Sequence, residues 1–352
     1  MLAKKVEYEQ HVHNLSYANG KPACSGELKS APSNFKVSEE LSFEPTGKGE
    51  HAYLYIQKAG LNTDEVAQAL AKFSSVPRKS VAYAGLKDKH ALTKQWFSVH
   101  LAGQEGPDWD GFSVDDVRVI RSTRHERKLK TGALKSNQFA IILTNVLGDK
   151  NDLSSRVLKI SEQGAPNYFM QQRFGFEANN LFLADRVFSN NEPIRSRRTK
   201  SLLLSATRSF LFNLVLSQRV KDKCWDKAVE GDVFILNSTR NYFECDELTQ
   251  DILKRLEDGD IHPSGPLFGE GSAVVREQAL MREEAIFSAH LNFCHGLKNQ
   301  RVDFARRALR IIPNKFVSTW IDEETLQLSF ELHSGSYATA VIRELINTEI
   351  RN

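Results

Sequence analysis

The chain has 352 residues, 41% of them hydrophobic and 26% charged, with a formal net charge of +3. This is ordinary for a soluble globular protein long enough for two domains and a sizeable core; no apolar run reaches the length of a membrane span, and no internal repeat or low-complexity linker interrupts it. A charge of +3 cannot by itself identify a nucleic-acid binder, so its distribution matters more than its sum.

Met1 to Gln10 is charged and lacks an apolar h-region, so no secretory signal is expected. Cys24, Cys224, Cys245 and Cys294 are scattered without a C-x-x-C pair. That argues against zinc and against a disulfide framework, and for a reducing cytoplasm. Asn62-Thr63-Asp64-Glu65 predicts a helix start with a capping-box glutamate. Val66, Leu70 and Phe73 continue it as an apolar stripe, and Pro77 ends it. Val81 to Tyr83 reads as a short strand followed by a turn at Gly85. From Trp96 to Leu101, Phe97, Val99 and Leu101 alternate with Trp96, Ser98 and His100, the period of a half-buried strand.

Between these two strands lies Gly85-Leu86-Lys87-Asp88-Lys89-His90-Ala91-Leu92-Thr93-Lys94-Gln95. It sets one carboxylate, Asp88, between two lysines on a connection, and such loops often carry function. On residue chemistry alone the commoner reading is a solvated charged turn, because surface ion pairs contribute little.

Further along, Phe139 to Val146 predicts a buried strand by its length and β-branched content. A long helix is expected over Ser201 to Val220, with short strands at Gly231 to Leu236 and Tyr242 to Cys245. Helices follow at Leu248 to Glu257, stopped by Asp258-Gly259, and at Val275 to Phe293. Leu326 to Leu332 alternates as a strand, and a last helix runs from about Tyr337 to Ile346. The fold class is therefore α/β (α+β).

Basic residues cluster in three runs. Arg121, Arg124, Arg127, Lys128 and Lys130 form the first, Arg195, Arg197, Arg198 and Lys200 the second. Arg301, Arg306, Arg307 and Arg310 form the third. Such runs suit phosphate contacts, since each neutralised phosphate releases counterions; a solvated charged face is the competing reading for any one of them.

The Asp88 segment resembles the signature of the TruD family of tRNA pseudouridine synthases, a G-x-K-D-K-x-A-x-T-x-Q run whose aspartate is catalytic. Four other segments resemble the family in the same order. They are Lys29 to Glu39 (with Pro32, Phe35 and Val37), Gly132 to Phe139, Pro166 to Gly175, and Gly335 to Thr339 with Arg343-Glu344. The resemblance covers nearly the whole chain. It implies a pseudouridine synthase catalytic domain with a mixed, largely antiparallel sheet and flanking helices, formed by residues 1–163 and 311–352. An inserted α/β TRUD domain would occupy residues 164–310. It also implies a tRNA substrate, with the uridine at position 13, notably of glutamate tRNA, as the target. Mild departures occur at Asn34, where relatives often have Asp, at Met170 in place of Gly, and at His333 in place of Pro. Met170 puts the local backbone in question, because Gly permits conformations that Met avoids.

The implied reaction breaks the N1–C1′ bond of uridine and joins C5 to C1′. It has no redox step and no net hydrolysis, so neither a cofactor nor a metal is required. It needs an ionised carboxylate, and a buried aspartate needs a cation to stay ionised. If Asp88 extends a strand, Lys87 and Lys89 point to the other face. Lys29 is then the candidate cation, with a surface lysine as the alternative. A uridine flipped out of folded tRNA calls for stacking and edge hydrogen bonds. Phe139 suits the first and Asn137 the second, and without the resemblance Phe139 reads as a core residue. Phe35 and Tyr337 match aromatic substrate-binding positions of the family.

Competing classes explain less. An inert RNA binder leaves the complete Asp88 motif unexplained. A glycoside hydrolase would use paired carboxylates. His11 and His13 lie in the N-terminal tail, and His290 with His295 lacks the i,i+4 spacing of H-E-x-x-H. Isolated thiols are usually core residues. The expectation is a cytoplasmic enzyme acting on tRNA, with no membrane association, no metal and no obligate protein partner.

Overall fold

The computed structural model describes residues Leu2–Ile350, so Met1, part of the stretch read for a signal, lies outside the described residues. In chain order the first elements are α1 (Leu2–His13), β1 (Ser25–Leu28), β2 (Phe35–Leu41), β3 (His51–Lys58), α2 (Thr63–Phe73), β4 (Val81–Tyr83), β5 (Leu92–His100), β6 (Val117–His125), β7 (Leu134–Leu147) and α3 (Lys150–Gln163). Next come β8 (Ala165–Pro166), α4 (Asn179–Ser189), α5 (Arg197–Lys221), β9 (Val233–Leu236), β10 (Tyr242–Glu244), α6 (Gln250–Glu257) and β11 (Ile261–Leu267). The chain ends with α7 (Glu277–Ala289), α8 (Leu291–Asn299), β12 (Ala305–Ala308), β13 (Arg310–Ile311), β14 (Asn314–Trp320), β15 (Leu326–His333), α9 (Ala338–Leu345) and β16 (Asn347–Ile350).

The chain divides into two units. A sheet unit comprises Ala23–Val157, Pro313–Gly335 and the residues from Ile346 onward. A second unit comprises the residues up to Pro22, Leu158–Ile312 and Ser336–Leu345. The segments up to Pro22 and Ser336–Leu345 thus pack with the middle of the chain.

The sheet unit is built on one mixed sheet in the order β14-β15-β7-β2-β5-β3-β6, with β4 beside β5 and β1 between β7 and β16. Its neighbours are antiparallel except β2 with β5 and β1 with β16. Period-two sequence decides its faces. In β2, Phe35, Val37 and Glu39 are buried while Lys36 is exposed. In β15 every second residue from Leu326 is buried. The predicted capping box forms at α2: Asn62 N–H donates to Glu65 Oε2 at 2.6 Å. The helix then lays Val66, Ala67 and Leu70 on Ala52, Leu54, Ile56, Phe97 and Val99. Each such large aliphatic or aromatic side chain contributes about 1.5–3 kcal/mol by leaving water. The other face of the same strands is covered by Leu129 and Leu134 over Tyr53 and Trp96.

The second unit holds the sheet β10-β9-β11-β12 and the small pair β13-β8. α5 runs through it with Leu203, Ala206, Phe210 and Leu216 buried. One expected helix is two. Where the sequence predicts a single helix over Val275 to Phe293, α7 stops at Ala289 and α8 begins at Leu291. His290 leaves the helical region (φ −129°, ψ 42°), and its carbonyl accepts from the N–H groups of Phe293 and Cys294. Its ring packs against Phe210 at 5.3 Å, and that contact outweighs helix continuity.

The third basic run also needs correction. Arg306 and Arg310, expected to suit phosphate contacts, are both buried and bonded internally. Arg306 forks onto Glu283, with Nη2 at 2.7 Å from Oε1 and Nη1 at 3.1 Å from Oε2. Arg310 donates to His262 Nδ1 at 3.1 Å and to the Leu256 carbonyl at 2.6 Å. Alternation along β12 turns Arg306 inward, a contrast that charge counting along the chain misses. Among the described residues no helix is long and apolar enough to cross a membrane.

Candidate active site

Asp88 lies on the connection between β4 and β5, in the sheet unit, and is not part of a strand. Four hydrogen bonds fix the backbone of this connection. Gln95 Nε2 donates to the Gly85 carbonyl at 2.6 Å, and Lys87 N–H donates to Thr63 Oγ1 at 2.9 Å. Lys58 Nζ donates to the Asp88 carbonyl at 3.3 Å, and Gly60 N–H to the Lys89 carbonyl at 2.8 Å. Thr63 in turn donates to Gln95 Oε1 at 3.0 Å, so the first turn of α2 and strand β5 grip the connection from both sides. Such anchoring fixes the carboxylate before any substrate arrives.

The Asp88 carboxylate pairs with Lys29 Nζ through Oδ2, while Oδ1 accepts from the His90 N–H at 3.0 Å. The lysine side chain is 6% exposed and the aspartate 21%. The lysine is therefore enclosed and the carboxylate stays reachable. Lys29 holds a left-handed backbone, φ 63°, where the chain turns from β1 towards β2. For a residue with a Cβ this costs about 1–3 kcal/mol, and the surrounding contacts must offset it. Lys29 Nζ also lies 4.7 Å from the centre of the Phe35 ring.

A second pair lies beside the first. Lys87 is salt-bridged to Glu39, whose carboxylate also accepts from the Trp96 N–H at 2.8 Å. Burial pushes the Glu39 carboxyl up from its ordinary range, and the Lys87 charge opposes that rise. Burial likewise draws the Lys58 ammonium down to about 8, with the Asp88 charge opposing. Charge thus alternates around Asp88: Lys29, Lys87 and Lys58 against Asp88 and Glu39. The sequence names Glu39, Thr63 and Gln95 within its motifs but gives them no role at the site, and it does not single out Lys58 at all. A signal existed for Glu39, an acid at an alternate position after Phe35 and Val37. Lys58 carried none, because a lysine ending a strand reads as solvated.

Asn137 and Phe139 follow from strand register. Asn137 pairs with Glu39 and Phe139 with Val37, so both side chains lie on the face that carries Phe35. Phe139 meets Phe35 edge-on at 6.3 Å and stacks on Phe330 at 5.4 Å. It is part-exposed, whereas Phe35 and Phe330 are buried. Asn137 is buried, and among the described residues its Oδ1 finds no hydrogen-bond partner. An orphaned buried amide oxygen costs about 1–3 kcal/mol, which a ligand N–H would recover. A cavity of about 350 Å³ is lined by Lys36, Ser38 and Lys94 of the other face and also by Phe139 and Phe330; Asp88 and Lys29 are not among its lining residues.

The expected residues divide between the two units. Asp88, Lys29, Phe35, Asn137 and Phe139 belong to the sheet unit, and Tyr337 belongs to the second unit. There its hydroxyl accepts from Arg173 Nε at 3.0 Å. The departures from the family pattern are accommodated locally. Met170 takes an ordinary extended backbone (φ −93°, ψ 172°), Asn34 Nδ2 donates to Ser30 Oγ at 2.8 Å, and His333 Nδ1 lies 3.4 Å from the Lys135 carbonyl. The run at Arg195, Arg197 and Arg198 is exposed at the start of α5. Among the described residues no group of three or more His, Cys, Asp or Glu side chains is placed to hold a metal ion.

Comparison with known proteins agrees in three ways. The family profile of tRNA pseudouridine synthase D (TruD) matches residues 11–192 and 194–345. A protein of Methylococcus capsulatus named tRNA pseudouridine synthase D is 44% identical over 333 residues, covering 95% of this chain and 94% of that one. One of the same name from Hydrogenovibrio crunogenus is 38% identical over 339 residues, covering 96% and 98%. A crystal structure from Methanosarcina mazei, provisionally named tRNA pseudouridine synthase D, superposes with a TM-score of 0.71 over 97% of this chain and 98% of that one. At 19% identity that likeness speaks for the fold alone. The chain belongs to the tRNA pseudouridine synthase D (TruD) family, isomerases that act on tRNA.

Proposed function

We propose that this isomerase converts the uridine at position 13 of tRNA, notably glutamate tRNA, to pseudouridine, with Asp88 as the reacting carboxylate. The observation that carries the reading is the Asp88–Lys29 pair: a reachable carboxylate held against an enclosed ammonium on a connection with a fixed backbone. Lys29 keeps Asp88 ionised against the cost of partial burial. Phe139 supplies a face for the flipped uracil, bordered by Phe35, and Asn137 Oδ1 accepts from a ring N–H. The glycosidic N1–C1′ bond breaks, the uracil turns within this enclosure, and C5 bonds to C1′. The proton lost from C5 is balanced by one gained at N1, so the product is an isomer. Tyr337, within the second unit, is carried in this reading as a further contact to the tRNA.

In the same reading, residues 1–163 and 311–352 act as the catalytic domain and residues 164–310 as the inserted TRUD domain. The cytoplasm is the proposed compartment, in keeping with four free cysteines. The test is to map pseudouridine in tRNA from cells with and without the gene, and in glutamate tRNA treated with the purified protein. Pseudouridine at position 13 that disappears with the gene and returns with the protein is the expected result. Modification at another position only would overturn the assignment of position 13.

A further inference from the structure

Strand alternation gives the sheet unit a second face that the Asp88 site does not use. On β2, Lys36 and Ser38 stand between the buried Phe35, Val37 and Glu39. On β5, Lys94 stands between Thr93 and Gln95, both buried. Pairing sets these outward residues side by side. Ser38 is the partner of Lys94 and of Gln138, and Gln138 is the partner of Glu331. On the other side Lys94 is the partner of Gln57, which faces Arg118. One polar row thus crosses β6, β3, β5, β2, β7 and β15, with neighbouring strands about 4.7–4.9 Å apart. Lys36 lies in the next row, opposite Leu92 and Ala140.

The cavity of about 350 Å³ is on this face, lined by Lys36, Lys94 and Lys315 together with Ser38, Gln138 and Glu331. That volume falls in the range of about 300–1,000 Å³ usual for ligand sites. Leu92 also lines it and is the first residue of β5, where the Asp88 connection ends. The cavity therefore borders the end of the sheet that carries the connection. Lys315 holds φ 51° where the β14–β15 register shifts between Asn314 and Val317, and a bulge of this kind re-aims a side chain. The acids of this face on β2 and β15 are already held: Glu40 by Lys135 at 3.0 Å and Glu331 by Lys315 at 2.8 Å. Among the described residues Lys36, Lys94 and Arg118 form no ion pair. Lys36 and Lys94 are diagonal neighbours across β2 and β5, so their ammonium groups repel and an anion between them reverses that cost. A linear row whose remaining charges are all positive fits the phosphates of an RNA strand.

We propose that this face of the sheet, centred on the cavity between Lys36, Lys94 and Lys315, seats the sugar–phosphate backbone of the substrate RNA outside the reaction site. The inference rests on the reading of this chain as an enzyme of tRNA. From the cavity the RNA strand reaches the Asp88 connection over the starts of β2 and β5.

The experiment acetylates the lysines of the full-length wild-type protein with an amine-reactive ester and reads each one by mass spectrometry, with and without unmodified tRNA. At a tRNA concentration about ten times the Kd, Lys36 and Lys94 are expected to react about tenfold more slowly by mass action, while Lys72, exposed on α2, keeps its rate. Unchanged rates at Lys36 and Lys94, or equal protection of Lys72, overturn the proposal. Protection that grows with protein concentration in the absence of tRNA assigns the face to a second copy of the chain and overturns it too. The salt dependence of tRNA affinity gives a second measure. The double variant Lys36→Gln, Lys94→Gln is expected to lower the slope of log affinity against log salt by about 1.4–1.8, two contacts at about 0.7–0.9 each, and Lys72→Gln to leave it unchanged. An equal change in all of these variants makes the effect one of net charge and overturns the site. The footprint on the wild-type protein decides the matter if the double variant does not fold. A wild-type protein that isomerises tRNA with Lys36 and Lys94 unprotected loses only this face. One that neither binds nor modifies tRNA loses the function as well.

Discussion

The ion pair at Asp88 and the pairs at Arg219 and Arg306 obey the same electrostatics with opposite outcomes. In the second unit, Arg219 with Asp232 and Arg306 with Glu283 are forked contacts whose partners are all at most 4% exposed. Each guanidinium forks onto one carboxylate and donates its remaining N–H groups to nearby carbonyls and, for Arg306, to the Ser264 hydroxyl. In the sheet unit a lysine replaces the arginine, and the carboxylate stays 21% exposed. A lysine is a point charge without a fork, so it neutralises Asp88 without capturing both oxygens. The difference separates a pair that is closed off inside the fold from one whose carboxylate stays open to solvent.

The largest expected effect breaks the second kind of pair. Asp88→Asn removes the charge and keeps the size, and single-turnover isomerisation should fall by about 10⁴-fold or more, while tRNA binding survives. A near-normal rate would return Asp88 to the structural class. Next comes Glu283→Ala, which leaves Arg306 buried and unpaired. Chemical denaturation should show a loss of about 3–5 kcal/mol, with the chemical step of the folded fraction retained. If stability held and the rate fell instead, the comparison would be reversed. The smallest effect concerns Phe139, which is part-exposed where its stacking neighbour Phe330 is buried. Phe139→Leu should slow turnover roughly ten- to a hundredfold, the equivalent of about 1–3 kcal/mol of base stacking, and barely move the melting temperature. A clear stability loss with normal single-turnover chemistry would assign Phe139 to the core.

Local signals carried far in this chain where they act over a few residues. The Asn62–Glu65 capping box, the strands at Val81–Tyr83 and Leu326–His333, and the long helix of α5 all follow from short-range patterns. Reading failed where a distant contact outweighed a local one. At His290, packing on Phe210 split a helix that periodicity alone would continue. At Arg306 and Arg310, strand alternation and partners tens of residues away hid charges that looked like a solvated run.

The site shows the same division. Chemistry called for a cation near Asp88, the N-terminal family-like motif offered Lys29 with a surface lysine as the alternative, and the structure pairs the two across 59 residues. The extended strand expected through Asp88 is instead a connection, and Lys87 turns to Glu39. The buried Lys58 and the Thr63–Gln95 brace left no mark in any local pattern.

The sequence by itself determined the elements, the alternation of faces and the residue types the chemistry needs, because periodicity and side-chain ionisation are properties of short segments. Only the tertiary structure decided which charges are enclosed, which meet and which stay open to a ligand. Desolvation and Coulomb energy depend on neighbours brought together by folding, and not on separation along the chain.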